Sequence, residues 1–235
     1  MIDLTSPKGK LIAAALKLAE TRPWGDISLL EIADAAHMPL DEVRRAFGAK
    51  SQILAGFMRL VDDEVLKRAP TKVADGARRD ALFEVIMSRF DVLAPYKPAL
   101  RSIAKAAPAD STLIMPYLNA QRWMLAAAGI NADGPAGLVR AGGLATLYAS
   151  VFRTWLDDED TGHARTMAAL DRRLRRGEST IRSLDDAVAG VTRIVTDLPG
   201  VLSQTLGSIL RRTAKSETAK PADGDTPHAS PSSAP

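Results

Sequence analysis

Within IADAAHMPLDEVRRAFGAKSQIL, residues 32–54, three cations stand close to two carboxylates: Arg44, Arg45 and Lys50 beside Asp41 and Glu42. Guanidinium and ammonium groups can neutralise duplex phosphates, and an arginine can grip both acceptors of a guanine edge. The two acids oppose that chemistry. They would be repelled by phosphate, more so as salt falls. At the start of a helix they also complement its dipole, worth about 0.3–1 kcal/mol each. The stretch therefore argues both for and against contact with a polyanion.

Other charged groupings invite different chemistry. Asp157-Asp158-Glu159-Asp160 could suit a metal or acid–base site, but no histidine or nucleophile constellation accompanies it. A solvated turn that caps the next helix is the simpler reading. The histidines, His37, His163 and His228, are scattered, and there is no cysteine. Disulfides and thiolate metal sites are excluded, no cofactor is expected, and no catalytic grouping points to an enzyme. Arg172-Arg173 and Arg175-Arg176 could meet acidic headgroups, nucleic acid or nearby carboxylates such as Asp171. A solvated helix face is the simplest of these. Further on, Leu202, Leu206, Ile209 and Leu210 fall on one helical stripe, followed by Arg211 and Arg212. Such a stripe can lie on an anionic membrane surface. It equally fits a helix folded onto its own body or a dimer mate.

Charge is unevenly distributed. The chain of 235 residues has a net charge of +3. Residues 1–70 hold ten Lys/Arg and ten Asp/Glu, a balance of zero, whereas nucleic-acid-binding modules usually carry a positive excess. Between Arg165 and Arg182, six arginines face only Asp171 and Glu178. No leader-like start and no run approaching the roughly 20 apolar residues of a membrane span is visible. The expected location is cytoplasmic, with peripheral attachment to the inner membrane as the variant that the 202–212 stripe would allow.

The elements that must position these groups read as all-α. Apolar residues make up 46% of the chain and aromatics 5%, a balance that favours packed helices. Ile12, Ala15, Leu16 and Ala19 follow a helical period. Ser28 and Glu31 form a capping box for a second helix over about 28–36. The turn HMP leads to a third helix over about 40–47, with Val43 and Phe47 inward, and a fourth runs from about Lys50 to Arg68. After the hinge APTKVADGA, Phe83, Ile86, Met87, Phe90 and Leu93 mark a fifth. Further helices are expected at about 97–107, 112–129, 135–156 and 162–176. The expected divisions are a helix-turn-helix domain at 8–70, a helical ligand and dimerisation domain at 77–180, amphipathic helices at 181–212, and a disordered Pro/Ser-rich tail at 213–235.

The first four helices resemble the N-terminal domain of TetR-family transcriptional regulators. The resemblance covers about residues 8–60 and rests on a helix starting near Lys10, ISLLEIADAAHM, an aromatic closing the third helix, and a lysine opening the fourth. It implies that Ile32, Ala33 and Ala36 pack the second helix on the third, that Phe47 anchors the third, and that Lys50 touches a phosphate. The family's third helix typically offers Ser, Gly-Thr and an aromatic, where this chain has Pro39, Asp41-Glu42 and Arg44.

A second resemblance covers about residues 80–176. ALFEVIMSRFDVLAPYKPALRSI and LYASVFRTWLDDEDTGHARTMAALDRRL are similar to the lipid-binding accessory proteins of coenzyme Q (ubiquinone) biosynthesis, which share the TetR fold. It departs at Met167 and Ala169, where bulky aromatics are expected.

Two readings follow. In one, a homodimeric regulator contacts DNA through Arg44, Arg45 and Lys50. Its body then holds a small hydrophobic ligand among Met87, Phe90, Leu118, Trp123 and Met124. In the other, the head no longer reads DNA. The body presents an isoprenoid lipid to membrane enzymes, anchored by Leu202, Leu206, Ile209, Leu210, Arg211 and Arg212. Small residues at Gly142, Gly143, Ala145 and Ala149 permit close helix packing, either inside the core or across a dimer interface, and the TetR resemblance implies that the late helices, 135–176, form the dimer surface.

Overall fold

Ser6 and Pro7 start the first helix. The Ser6 Oγ accepts from the Gly9 backbone N–H at 3.0 Å, and Pro7 occupies the first turn, where a missing N–H costs nothing. This α1 (Pro7–Thr21) therefore begins earlier than the apolar period near Lys10 suggests. It buries Leu11, Ile12, Ala15, Leu16 and Ala19, the expected stripe. The computed structural model describes residues 2–74, 76–106 and 110–177, and all regular structure in them is helical. The sets expected to touch membrane (Leu202, Leu206, Ile209, Leu210, Arg211 and Arg212), the helices at 181–212 and the tail at 213–235 lie outside the described residues.

α2 (Leu29–Ala35) opens on the expected capping box: Ser28 accepts from the Glu31 N–H, and Glu31 accepts from that of Ser28. α3 (Leu40–Ala46) follows Pro39 and has no side-chain cap. Phe47 lies just beyond it in extended conformation and is buried. It packs so tightly on α4 (Lys50–Arg68) that a Cβ on Gly56 would stand 3.0 Å from the ring.

α4 is long enough to serve both halves. Its first turns pack on α1, and its later turns pack on α5 (Arg78–Leu93) and α7 (Ile114–Ala127). A 3-10 turn at Ala94–Tyr96 joins α5 to α6 (Lys97–Ala106), as APYKP demands. α8 (Gly134–Leu156) packs on α7, and residues 164–177 form the ninth described helix, α9.

The body core is aromatic where α5 meets α8. Phe90 stacks on Tyr148 at 5.4 Å and on Trp155 at 5.2 Å, and Phe152 lies 5.5 Å from Trp155. The head meets the body through α1 against α6. Ser102 of α6 accepts from the Trp24 N–H at 2.8 Å and donates to the Arg22 carbonyl at 2.9 Å. It thereby satisfies two backbone groups in the break TRPWGD. No described helix is long and apolar enough to cross a membrane.

Candidate nucleic-acid interface and small-molecule site

The three head cations are not equivalent. α3 turns Val43 inward and leaves Leu40, Asp41, Glu42, Arg44 and Arg45 exposed. Arg45 is paired with Asp41 one turn earlier, and that hydrogen bond holds the Asp41 carboxyl below its ordinary range. Arg44 has no hydrogen-bond or ion-pair partner among the described residues. It is the cation that this surface offers freely. Lys50 is half-buried and donates to the carbonyls of Trp24 and Ile27, with its Nζ 4.4 Å from the Trp24 ring centroid. Burial lowers its pKa, against the pull of Asp26 and Glu31. The lysine at the start of α4 thus ties down the turn between α1 and α2. Glu31 is held at a pKa of about 2 by its bond to Arg22 and by the Ser28 cap.

In the body, the five residues expected to line a pocket occupy three kinds of place. Phe90 and Met124 are fully buried, Met87 and Leu118 are half-buried, and Trp123 is 56% exposed. A groove of about 410 Å³ lies between α5 and α9 and includes none of the five. Phe83, Met167 and Leu174 line it among Arg79, Asp80, Glu84 and Asp171.

What sequence reasoning missed is polar. Asp62 of α4 and Arg89 of α5 form a buried ion pair, with the guanidinium carbon 5.8 Å from the Tyr148 ring of α8. Burial pushes the Asp62 carboxyl above its ordinary range, more strongly than Arg89 pulls it down. Tyr117 of α7 donates to the Ala145 carbonyl at 2.9 Å. The signal was available: Asp62 and Arg89 sit on the apolar stripes of their helices, beside Val61 and Val65 and beside Val85, Ile86 and Phe90. A charge on such a stripe is either paired or absent.

Three solved structures match across most of the chain, each described as a transcriptional regulator. The TetR regulator from Nitrosomonas europaea is 22% identical, covers 72% of this chain and 96% of its own, and gives a TM-score of 0.57. That from Rhodococcus sp. is 20% identical over 70% and 93%, with a TM-score of 0.51. A TetR-family regulator from Streptomyces coelicolor is 20% identical over 88% and 97%, with a TM-score of 0.52. The fold is of the TetR type. At these identities the likeness establishes architecture alone. No protein-family pattern matches the chain, and no curated protein matches it by sequence. The coenzyme Q resemblance of residues 80–176 is not carried by these three.

Within the TetR-type body, the acidic run has a structural explanation. The Asp158 carboxylate accepts from the Thr166 N–H at 2.9 Å and hydroxyl at 2.6 Å, which lowers its pKa. Asp160 accepts from the N–H groups of Gly162 and Ala164 at the start of α9. From the other side, Arg101 donates to the Leu156 carbonyl at 3.0 and 2.8 Å, and Lys97 donates to that of Asp158. Two cations of α6 thus complete the C-terminal end of α8, where the helix dipole favours positive charge. No group of three or more metal-ligating side chains occurs among the described residues.

Proposed function

We propose that the protein is a homodimeric, DNA-binding transcriptional regulator whose body takes a small apolar ligand. The observation that carries this is the outward face of α3. Val43 and Phe47 fix the helix from within, Asp41 is already paired by Arg45, and Arg44 is left to meet a duplex. The neutral balance of the head then means that affinity rests on few phosphate contacts, so a weak salt dependence is expected. Similarity of fold to three solved regulators supports the same reading.

Dimerisation is supported by α8. Leu138 and Val139 are 53% and 58% exposed, and Cβ atoms on Gly142 and Gly143 would meet nothing within 4 Å. A glycine inside a helix costs about 0.8–1 kcal/mol relative to alanine. Nothing among the described residues requires that cost here, and the close approach of a second copy's helix would. The ligand belongs between α5, α7 and α8, with Phe90 and Met124 as its apolar surroundings.

The test is a binding titration of the full chain with duplex DNA from its own promoter region, alongside unrelated duplex. Preferential binding to the promoter fragment supports the proposal. Equal or no binding at low salt contradicts it.

A further inference from the structure

Four helices bring one polar side chain each to the same place in the body: Asp62 from α4, Arg89 from α5, Tyr117 from α7 and Tyr148 from α8. Arg89 is only 4% exposed, and its Nη1 donates to Asp62. Its Nε–H, although buried, has no acceptor. One turn along α7 from Tyr117, the fully buried Gln121 donates to the Tyr117 carbonyl at 3.2 Å, while its Oε1 has no donor. A helical core does not need such a set. Apolar side chains of similar volume are commonly as stable as a buried ion pair, and each buried orphan group carries a desolvation cost.

We infer that this cluster is the anchor for a carboxylic acid with an aryl or medium-length hydrocarbon body. The inference rests on the reading that the body takes a small ligand. The Nε edge of a guanidinium matches the two oxygens of a carboxylate in a forked pair. On that edge of Arg89 the Nε–H is unpaired, while Nη1 is held by Asp62 and the Tyr148 hydroxyl also bonds the guanidinium. The Tyr148 ring beside it stacks on Phe90 at 5.4 Å and Phe152 at 5.9 Å, a wall suited to an apolar remainder. Charge balances if the ligand enters as the neutral acid. Its proton passes to Asp62, the carboxylate pairs with Arg89, and no net charge enters the core. The raised pKa of Asp62 favours that transfer. The unpaired Gln121 Oε1 would further favour acids bearing a hydroxyl or amide donor.

The experiment is calorimetric titration of the full chain with decanoic and 2-naphthoic acids, against decanol and 2-naphthalenemethanol. The acids are expected to bind at least about tenfold more tightly than the alcohols. Arg89→Met should remove that difference. Tyr148→Phe keeps the ring but removes the hydroxyl that orients the Arg89 guanidinium, and should weaken the acids by about threefold or more while sparing the alcohols. Alcohols binding as tightly as acids would overturn the inference and leave the ligand reading intact. So would acid affinity unchanged in both variants. Binding of none of the four compounds would overturn both.

Discussion

The Lys50 ammonium is fastened to Trp24: it donates to that residue's carbonyl and sits 4.4 Å from its ring centroid. A lysine engaged in this way holds the α1–α2 turn against α4, which is the geometry that aims α3. Charge-assisted bonds of this kind are worth roughly 1.5–3 kcal/mol. Lys50→Met is expected to destabilise the protein by about 2 kcal/mol in urea denaturation. Its remaining folded fraction should bind duplex with an unchanged salt slope, because a structural tie releases no counterions.

The Asp62–Arg89 pair gives a second expectation. Removing one partner leaves the other charged and buried, so Arg89→Met should cost about 3–5 kcal/mol. Replacing both, as Asp62→Leu with Arg89→Met, should recover most of that loss. Denaturant midpoints of the wild type, the two single variants and the double variant complete the cycle. A double variant as unstable as the sum of the singles would show that the pair is not the unit at issue.

Acid should loosen the head through Glu31. Its folded pKa of about 2 lies below the ordinary 4.5, so its stabilising effect is present above pH 4.5 and is lost as pH falls towards 2. The ionised form is the one that accepts from Arg22 and caps α2 at Ser28. Circular dichroism followed from pH 5 to pH 2 should show helix loss in the wild type. In Glu31→Gln that part of the pH dependence should be missing and the stability at pH 7 lower.

Bulk at the open face of α8 should separate the protomers. Gly142→Leu and Gly143→Leu fill space that the described residues leave empty, so the monomer should fold with normal or higher helicity. Sedimentation velocity is expected to show dimer for the wild type and monomer for either variant.

Most of the architecture was legible because it rests on local signals. The Ser28/Glu31 capping box, the apolar stripe of α1, the break at APYKP and the span of α4 are each written in a few adjacent residues, and each holds in the fold. The start of α1 is set by the Ser6-Pro7 cap and not by the apolar period, so it lies earlier than Lys10. Pairings across the fold were the illegible part. Nothing adjacent to Lys50 says that it meets carbonyls 23 and 26 residues away. Ser102 and Arg22 are 80 residues apart in sequence, and Asp62 and Arg89 are 27 apart. Both pairings depend on how helices pack, which periodicity does not specify. The acids at 157–160 do cap the next helix, since their spacing to it is local, but the turn is not wholly solvated: Asp158 is buried against Thr166.

The free guanidinium of Arg44 is the centre of the regulator assignment, and the salt dependence of duplex binding tests it most directly. Affinity of the wild type and Arg44→Ala for the promoter fragment should be measured by fluorescence anisotropy across a salt series. The account predicts promoter binding by the wild type, with Arg44→Ala weakening it and lowering the slope of log K against log salt by about one. An Arg44→Ala protein with the affinity and slope of the wild type, or a wild type that ignores its promoter at low salt, would contradict it.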